Sequence, residues 1–182
     1  MNQLKIPVFI SKIEIEKIID RLAKQIFQDL IKSGTKEVNF VTVLEGSIPF
    51  SRDLRAQLKK LVGKKFKINN YEIKISSYDG TQSGKLELKK DFNENIEEKD
   101  LIIIEDIVDT GKTMHYLNDY LFKKKKVKSV KICSFLSKPS RREKEIFIDY
   151  LGKEIPDKFV IGYGLDKDGE FRDLDYVGIW KE

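Results

Sequence analysis

Residue types that bind sugars, phosphates and metals stand together in one segment, LIIIEDIVDTGKT (residues 101–113). Its ending resembles a Walker A phosphate loop, but that motif needs a glycine where this chain has Asp106. A short apolar run before Glu105 and a helix after Gly111 would place the segment at the carboxyl edge of a parallel sheet, where α/β proteins bind ligands. The start of such a helix suits a phosphate, because its N–H groups are unpaired and its dipole end is positive.

The acids Glu105 and Asp106 then need a different task. Carboxylates accept hydrogen bonds from sugar hydroxyls, and they bind Mg²⁺. A sugar with a phosphate at one end and neighbouring hydroxyls in the middle would use both halves of the segment. The alternative is that the two acids only cap a helix N-terminus. Two adjacent carboxylates at the end of a buried strand are costly without partners, which favours the ligand site.

The elements that must position this segment follow from the hydrophobic periodicity. Ser11 and Glu14 form a capping box, and apolar residues recur at helical spacing from there to Gly34, a typical helix-ending residue. Apolar and alternating runs rich in β-branched residues predict the strands. The predicted elements are helices over residues 13–33, 49–61 and 111–122, strands over residues 38–44, 71–76, 85–90, 101–104, 127–135, 158–165 and 176–180, and a turn over residues 123–126.

The alternation of helices and apolar strands predicts one α/β domain over residues 1–182, with a mostly parallel sheet and helices on both faces. The net charge of +5 fits an anionic ligand and is too small to indicate nucleic acid by itself. Cys133 is the one cysteine and lies in an apolar run, so we expect a buried, inert thiol. His115 is the one histidine, which makes a histidine metal site a poor interpretation. We find no apolar run of signal or membrane-spanning length and expect a cytoplasmic protein with no membrane partner.

Five motifs in order extend the interpretation beyond one segment. IIIEDIVDTGKT resembles the phosphoribosyl-diphosphate signature of the phosphoribosyltransferases, and among them the hypoxanthine-guanine branch. VLEGS resembles the first loop of that family, ISSYDGTQSG its mobile lid, KPSRR its purine-contacting turn and EIPDKFVIGYGLDKDGEFRDL its base-clamping segment. The resemblance implies the type I phosphoribosyltransferase fold, with a small hood and a mobile β-hairpin lid. It implies transfer of a 5-phosphoribosyl group from phosphoribosyl diphosphate to hypoxanthine or guanine, with Mg²⁺ as cofactor.

The resemblance assigns a role to each matching residue. Asp109 would be the acid/base that faces N7 of the purine; the alternative is a helix N-cap. The implied sets are Glu105, Asp106, Asp109, Thr110, Gly111, Lys112 and Thr113 for the phosphoribosyl group; Glu45, Gly46, Ser47 and Arg172 for the diphosphate; Ser77 and Tyr78 for the lid; Lys138, Phe159, Val160 and Asp166 for the purine; and Glu105, Asp106 and Asp166 for Mg²⁺.

Three of these residues also have an ordinary explanation. Lys138 would donate to O6 of the base, because an ammonium has no acceptor and would oppose the 6-amino group of adenine; the alternative is a solvated lysine. Phe159 would stack on the purine, although its strand pattern alone indicates a core residue. The forked guanidinium of Arg172 suits a diphosphate; the alternative is an ion pair with Asp173 or Glu170.

Glu45 departs from the family, in which the first loop usually reads Leu-Lys-Gly and the peptide after the leucine is often cis. A glutamate would repel diphosphate unless its side chain turns away, for example toward a basic residue across a subunit interface. The backbone contacts of Gly46 and Ser47 are compatible with the change. Diphosphate affinity is therefore the property that this substitution puts in question.

The predicted partners are phosphoribosyl diphosphate and a 6-oxopurine, in a homodimer or homotetramer as is common in the family. A regulator on the same fold that binds nucleic acid is the alternative from another class, suggested by the basic residues 123–126 with Lys128 and Lys131. The combination of Asp109, Lys138 and the lid favours the enzyme. The ranking of hypoxanthine, guanine and xanthine stays open, because the 2-position would be read mainly by backbone.

Overall fold

The computed structural model describes residues 6–77 and 86–181. The two 3₁₀ turns are Gly63–Lys65 and Pro139–Arg141. The helices are α1 Lys12–Ser33, α2 Ile48–Val62 and α3 Lys112–Lys125, and the strands are β1 Val8–Ile10, β2 Glu37–Leu44, β3 Lys67–Ser77, β4 Leu86–Lys90, β5 Asp100–Val108, β6 Ser129–Ser137, β7 Tyr150–Glu154, β8 Val160–Ile161 and β9 Val177–Ile179.

A six-stranded sheet in the order β4-β3-β2-β5-β6-β7 carries the predicted site. Its neighbouring strands are parallel except for β3 and β4. The apolar sides of α1 and α2 pack on one face, and α3 packs on the other. This confirms the predicted mostly parallel sheet with helices on both faces. Because β2, β5 and β6 run in parallel, the loops after their carboxyl ends lie at the same edge.

The long helix α1 shows how sequence signals set the boundaries of one element. The Ser11 hydroxyl accepts a hydrogen bond from the Glu14 N–H, and the Glu14 carboxylate accepts one from the Ser11 N–H. Gly34 ends the helix in the left-handed conformation, with φ +69°. The predicted face is buried as expected; its residues are Ile15, Ile18, Ile19, Leu22, Ile26 and Leu30.

A second, three-stranded antiparallel sheet in the order β1-β9-β8 agrees with the predicted small hood. The first and last described strands of the chain pair here, because Val8 lies opposite Gly178. β8 is the strand that contains Val160 of the base-clamping segment. The base-clamping segment is therefore supported by strands from both ends of the chain.

Several predicted boundaries are wrong, and β3, for example, begins at Lys67 rather than at residue 71. β5 continues past residue 104 to Val108, because its pairing with β6 persists as far as Val108 opposite Ser137. The lysines of the predicted turn 123–126 extend α3 to Lys125, where positive side chains suit the negative helix end. The predicted strand 158–165 shrinks to β8, because residues 162–164 all have positive φ. β1 and β7 were not predicted at all.

The predicted lid joins β3 to β4, which pair in antiparallel fashion out to Ser77 opposite Leu86. Its Tyr78 lies outside the described residues, and Ser77 is the last residue of β3. Within the ranges 6–77 and 86–181, none of the helices has the length and apolar character needed to cross a bilayer.

Candidate active site

The first loop of the site follows β2 and begins with a cis peptide bond between Leu44 and Glu45, as the resemblance implies. The Glu45 carboxylate turns to Lys74 on β3, with 2.6 Å between Oε1 and Nζ. Lys74 lowers the pKa of the Glu45 carboxyl, and Arg172 adds a smaller contribution. The side chain therefore has its basic partner within its own chain rather than across a subunit interface.

Glu105 and Asp106 lie within β5 rather than after it, because the strand runs to Val108. Glu105 is 7% exposed. Ser47 links the pair: its buried hydroxyl accepts from the Asp106 N–H at 2.9 Å and donates to Glu105 Oε1 at 3.4 Å. Neither acid caps a helix, so the capping alternative is wrong for both.

The electrostatics of this pair are unfavourable for two negative charges. Burial raises the pKa of Glu105 well above its ordinary value of 4.5, and the neighbouring charge of Asp106 raises it further. Burial also raises the pKa of Asp106, although hydrogen bonds from Glu105 and the Ile107 N–H oppose the shift. The pair therefore offers hard oxygen atoms for a cation or for hydroxyl donors.

Two glycines let the first loop approach this pair. A Cβ on Gly46 would lie 1.7 Å from Oδ2 of Asp106. Gly164, with φ +96°, sits against the Gly46 carbonyl, since its own Cβ would lie 1.9 Å from that oxygen. The first loop, β5 and the base-clamping segment therefore meet at backbone distance, which a side chain at either glycine would prevent.

The phosphate loop leads from β5 into α3. Gly111 is the N-cap of α3, with φ +83°, and the helix begins at Lys112. The Lys112 N–H lies 3.4 Å from the Thr110 hydroxyl, while its ammonium pairs with Glu143 at 2.6 Å. Asp109 is not the N-cap, so this alternative to its acid/base role is wrong. The predicted loop, including Thr113 in the first turn of α3, stands at a helix N-terminus as expected.

A segment that the sequence interpretation did not assign supports this loop from outside. The N–H groups of Glu143 and Lys144 both donate to the Thr110 carbonyl, at 2.9 and 3.0 Å. Arg142 donates through Nη1 to the Asp109 carbonyl at 2.6 Å. Arg142 is the last residue of the KPSRR motif, in which only Lys138 was assigned a role, and Glu143 and Lys144 follow that motif.

Lys138 is placed at the end of β6 and is 8% exposed, so it is not a solvated lysine. Its N–H donates to the Val108 carbonyl at 3.0 Å, which ties the purine-contacting turn to β5. Its ammonium lies 3.7 Å from Asp157, and Arg141 joins Asp157 to Asp109. The acid/base candidate and the base-reading candidate are thus connected through two charged residues that were not predicted.

The base-clamping segment exposes its aromatic residue. Phe159 is 53% exposed, so the pattern-based expectation of a core residue is wrong, whereas Val160 is buried. The Trp180 N–H donates to the Phe159 carbonyl at 2.9 Å. Phe159, Asp166 and Trp180, together with Lys167 and Asp168, line an open cleft of about 560 Å³.

Arg172 and Asp166 form an ion pair, with 2.8 Å between Nη2 and Oδ1. Arg172 also donates to the Gly164 carbonyl at 3.1 Å. The predicted alternative partners of Arg172, Asp173 and Glu170, are therefore not the ones it binds. The ion pair therefore connects Arg172, the predicted diphosphate-binding residue, to Asp166, which is predicted to bind Mg²⁺ and the purine. Both lie beside Gly46.

Comparison with known proteins identifies the class of protein. Residues 11–168 match the phosphoribosyl transferase domain, and the chain belongs to that family. Relatives named hypoxanthine-guanine phosphoribosyltransferase come from Streptococcus thermophilus (strain CNRZ 1066), 40% identical over 162 residues, which are 87% of this chain and 86% of that one, and from Bacillus subtilis (strain 168), 37% identical over 179 residues, which are 96% and 92%.

The fold agrees with the same branch. A crystal structure of a hypoxanthine-guanine phosphoribosyltransferase from Bacillus anthracis str. 'Ames Ancestor' has a TM-score of 0.86 to this chain at 34% identity, and the match covers 97% of this chain and 100% of that one. The family resemblance and the type I fold predicted from the five motifs are confirmed.

Gly46→Ala should lower the rate of phosphoribosyl transfer by roughly 10²-fold, because the new methyl group must displace the Asp106 carboxylate by more than an ångström. Steady-state kinetics with both substrates measure the loss. Gly34→Ala is the control: it strains the left-handed cap of α1, where a Cβ meets no atom, so it should cost about 1 kcal/mol of stability but leave the rate unchanged. Equal rate losses in the two variants would contradict the assignment.

Glu105→Gln should stabilise the protein above pH 7 in the presence of EDTA. A folded-state pKa above the unfolded value means that ionisation of Glu105 costs stability as the pH rises through that folded-state pKa. The variant should melt about 3 °C higher than the wild type at pH 8, and the gap should close toward pH 4. Thermal unfolding monitored by circular dichroism gives both values, with Glu16→Gln on the exposed side of α1 as control. If the difference in melting temperature between the variant and the wild type does not change with pH, ionisation of the Glu105 carboxyl is not its cause.

Proposed function

We propose that the chain is a purine-salvage enzyme that transfers the 5-phosphoribosyl group of phosphoribosyl diphosphate to hypoxanthine or guanine, giving IMP or GMP and diphosphate. The observation that carries the proposal is the buried Glu105–Asp106 pair on β5, the strand that leads into the α3 N-terminus. The exposed Phe159 supports it, because it lies two residues after Asp157, which pairs with Lys138. The names of the relatives support the same activity.

The reaction breaks the bond between C1 of the ribose and the diphosphate oxygen, and the electron pair leaves with the diphosphate. A purine nitrogen forms the new bond to C1. Asp109, as a carboxylate, would take the proton from N7 of the base in the forward direction and return it in reverse. The unpaired N–H groups at the start of α3, with the hydroxyls of Thr110 and Thr113, would hold the 5-phosphate.

Glu105 and Asp106 would orient the ribose hydroxyls. They have the oxygen chemistry that Mg²⁺ prefers, and Asp166 would contact a second Mg²⁺. Among residues 6–77 and 86–181 no group of three potential metal ligands occurs, so each ion would take most of its ligands from water and substrate. When bound, Mg²⁺ would neutralise charge on the departing diphosphate. The Gly46 and Ser47 backbone and the Arg172 guanidinium would contact that diphosphate.

The base would lie against Phe159, with Lys138 donating to its O6 atom and the backbone of Val160 reading its edge. Lys138 is buried and follows β6, and its N–H donates to the carbonyl of Val108, the residue before Asp109. The lid residues Ser77 and Tyr78 would close over the diphosphate and exclude water. We further propose a cytoplasmic homodimer or homotetramer, which light scattering would test.

The nucleic-acid regulator is disfavoured by the ion pairing of the basic cluster. Most of its lysines face an acid, which removes the open positive surface that binding to phosphates needs. The observed pairs are Lys123 with Asp119, Lys125 with Asp91, Lys126 with Glu97, Lys128 with Asp100, and Lys131 with Asp29.

The activity is tested by product formation from phosphoribosyl diphosphate and Mg²⁺ with hypoxanthine, guanine, xanthine and adenine in parallel. We expect turnover of hypoxanthine and guanine that EDTA abolishes. Turnover of adenine alone, or of no base, would contradict the proposal.

Asp109→Asn should slow the chemical step by roughly 10²-fold or more, because an amide cannot accept the N7 proton. Single-turnover rates with hypoxanthine measure this step without interference from product release. Binding of phosphoribosyl diphosphate, measured by calorimetry, should change little. Asp173→Asn, on an exposed loop, is the matched control. A near-normal single-turnover rate for Asp109→Asn would exclude Asp109 as the acid/base.

Lys138→Gln should weaken the discrimination against adenine, since an amide can either donate or accept a hydrogen bond. The ratio of kcat/KM for hypoxanthine to that for adenine should fall by about tenfold or more. Lys158→Gln, an exposed lysine two positions after Pro156, controls for loss of charge nearby. If adenine is excluded as strongly as before, specificity resides elsewhere.

A further inference from the structure

Four charged side chains form a chain along the base side of the site, which we name the Arg141 cluster: Asp109, Arg141, Asp157 and Lys138. Arg141 Nε donates to Asp109 Oδ1 at 2.7 Å. Its Nη1 lies 3.5 and 3.4 Å from the two oxygens of Asp157. The Lys138 ammonium lies 3.7 Å from Asp157 Oδ1. One acid between two cations thus connects the acid/base candidate to the residue proposed to read O6.

The backbone around Arg141 is fixed on several sides. Its own N–H donates to the Lys138 carbonyl at 3.1 Å, and the Lys138 N–H donates to Val108 on β5. The next residue, Arg142, donates to the Asp109 carbonyl at 2.6 Å and to the Ser137 hydroxyl at 2.7 Å. The two adjacent arginines therefore bind different parts of Asp109: Arg142 binds its backbone carbonyl, and Arg141 binds its carboxylate.

The contact to Asp109 uses one oxygen only. Within residues 6–77 and 86–181, Oδ1 accepts the Arg141 bond and Oδ2 accepts no hydrogen bond. A guanidinium stays protonated at any working pH, so Arg141 cannot take the proton itself. The second oxygen is left to accept the proton of the purine.

The pair is also partly exposed. The side chains of Arg141 and Asp109 are 46% and 36% exposed, and ion pairs at such sites contribute little net stability. Loss of the Arg141 charge should therefore leave the fold intact. A contact that adds little stability but fixes one oxygen of Asp109 suits a positioning role better than a purely structural one.

We propose that Arg141 is a positioning residue for phosphoribosyl transfer, which holds Oδ1 of Asp109 and aims its Oδ2 at the purine, while Asp157 anchors Arg141 and Lys138 together. The proposal rests on the proposed function of Asp109. It adds Arg141 to the residues of the acid/base step. It also gives Asp157 a role, which is to keep Asp109, the proton acceptor, and Lys138, the O6 donor, in fixed relative positions.

The test compares wild type, Asp109→Asn, Arg141→Met and the double variant in single turnovers with hypoxanthine. Arg141→Met should slow the chemical step by about tenfold, with less than a twofold change in KM for phosphoribosyl diphosphate. In the Asp109→Asn background the same substitution should change the rate by less than about twofold, because its partner is already gone. Arg141→Lys, which keeps the charge, should recover part of the rate. Lys17→Met removes one exposed charge from α1 and should have no effect.

The outcomes separate the alternatives. A tenfold loss in both the wild-type and Asp109→Asn backgrounds would make Arg141 structural, and a rise confined to KM for phosphoribosyl diphosphate would make it a phosphate ligand; either overturns the proposal. A normal rate for Arg141→Met beside a slow Asp109→Asn overturns this proposal alone, whereas a normal rate for Asp109→Asn overturns the acid/base assignment itself. Thermal unfolding identifies a variant that fails to fold, and Arg141→Lys then carries the same comparison.

Discussion

The buried pair of carboxylates on β5 is the constraint around which the site is arranged. Two adjacent acids inside a central strand are unfavourable unless neighbouring groups bind them, and their raised pKa values express that cost. The Ser47 hydroxyl hydrogen-bonds to both residues, and the lack of a side chain on Gly46 leaves room for the Asp106 carboxylate. The positions of the first loop, the phosphate loop and the base-clamping segment then depend on how closely each must approach β5.

A second principle of the site is that three ion pairs are already formed before any substrate arrives. Lys74 binds Glu45, Arg172 binds Asp166, and Arg141 binds Asp109. An anionic substrate must therefore exchange partners rather than fill an open positive pocket. This explains how a glutamate in the first loop is tolerated, because Lys74 neutralises it locally. Most of these pairs are half-exposed, so the cost of exchange is modest.

The sequence was informative where one local signal determines a structure. The capping box of α1, the apolar run of β5 and the order of five motifs predicted the helix start, the buried strand and the family. Strand ends could not be predicted in the same way, since β5 extends to Val108 only because β6 lies beside it. The contacts of Arg141 and Asp157 could not be predicted for a similar reason: each is an ordinary charged residue until folding brings Arg141 to Asp109 and Asp157 to Lys138.

The small sheet has a consequence for how the protein can be observed. Its strand β9 ends beside Trp180, the one tryptophan of the chain, whose indole packs against Phe171 with 5.5 Å between ring centroids. The same indole borders the cleft that exposes Phe159. The tryptophan fluorescence of the unlabelled protein therefore originates from a single side chain next to the base-clamping segment. A change in tryptophan emission intensity therefore reports an event in that cleft, because the chain contains no other tryptophan.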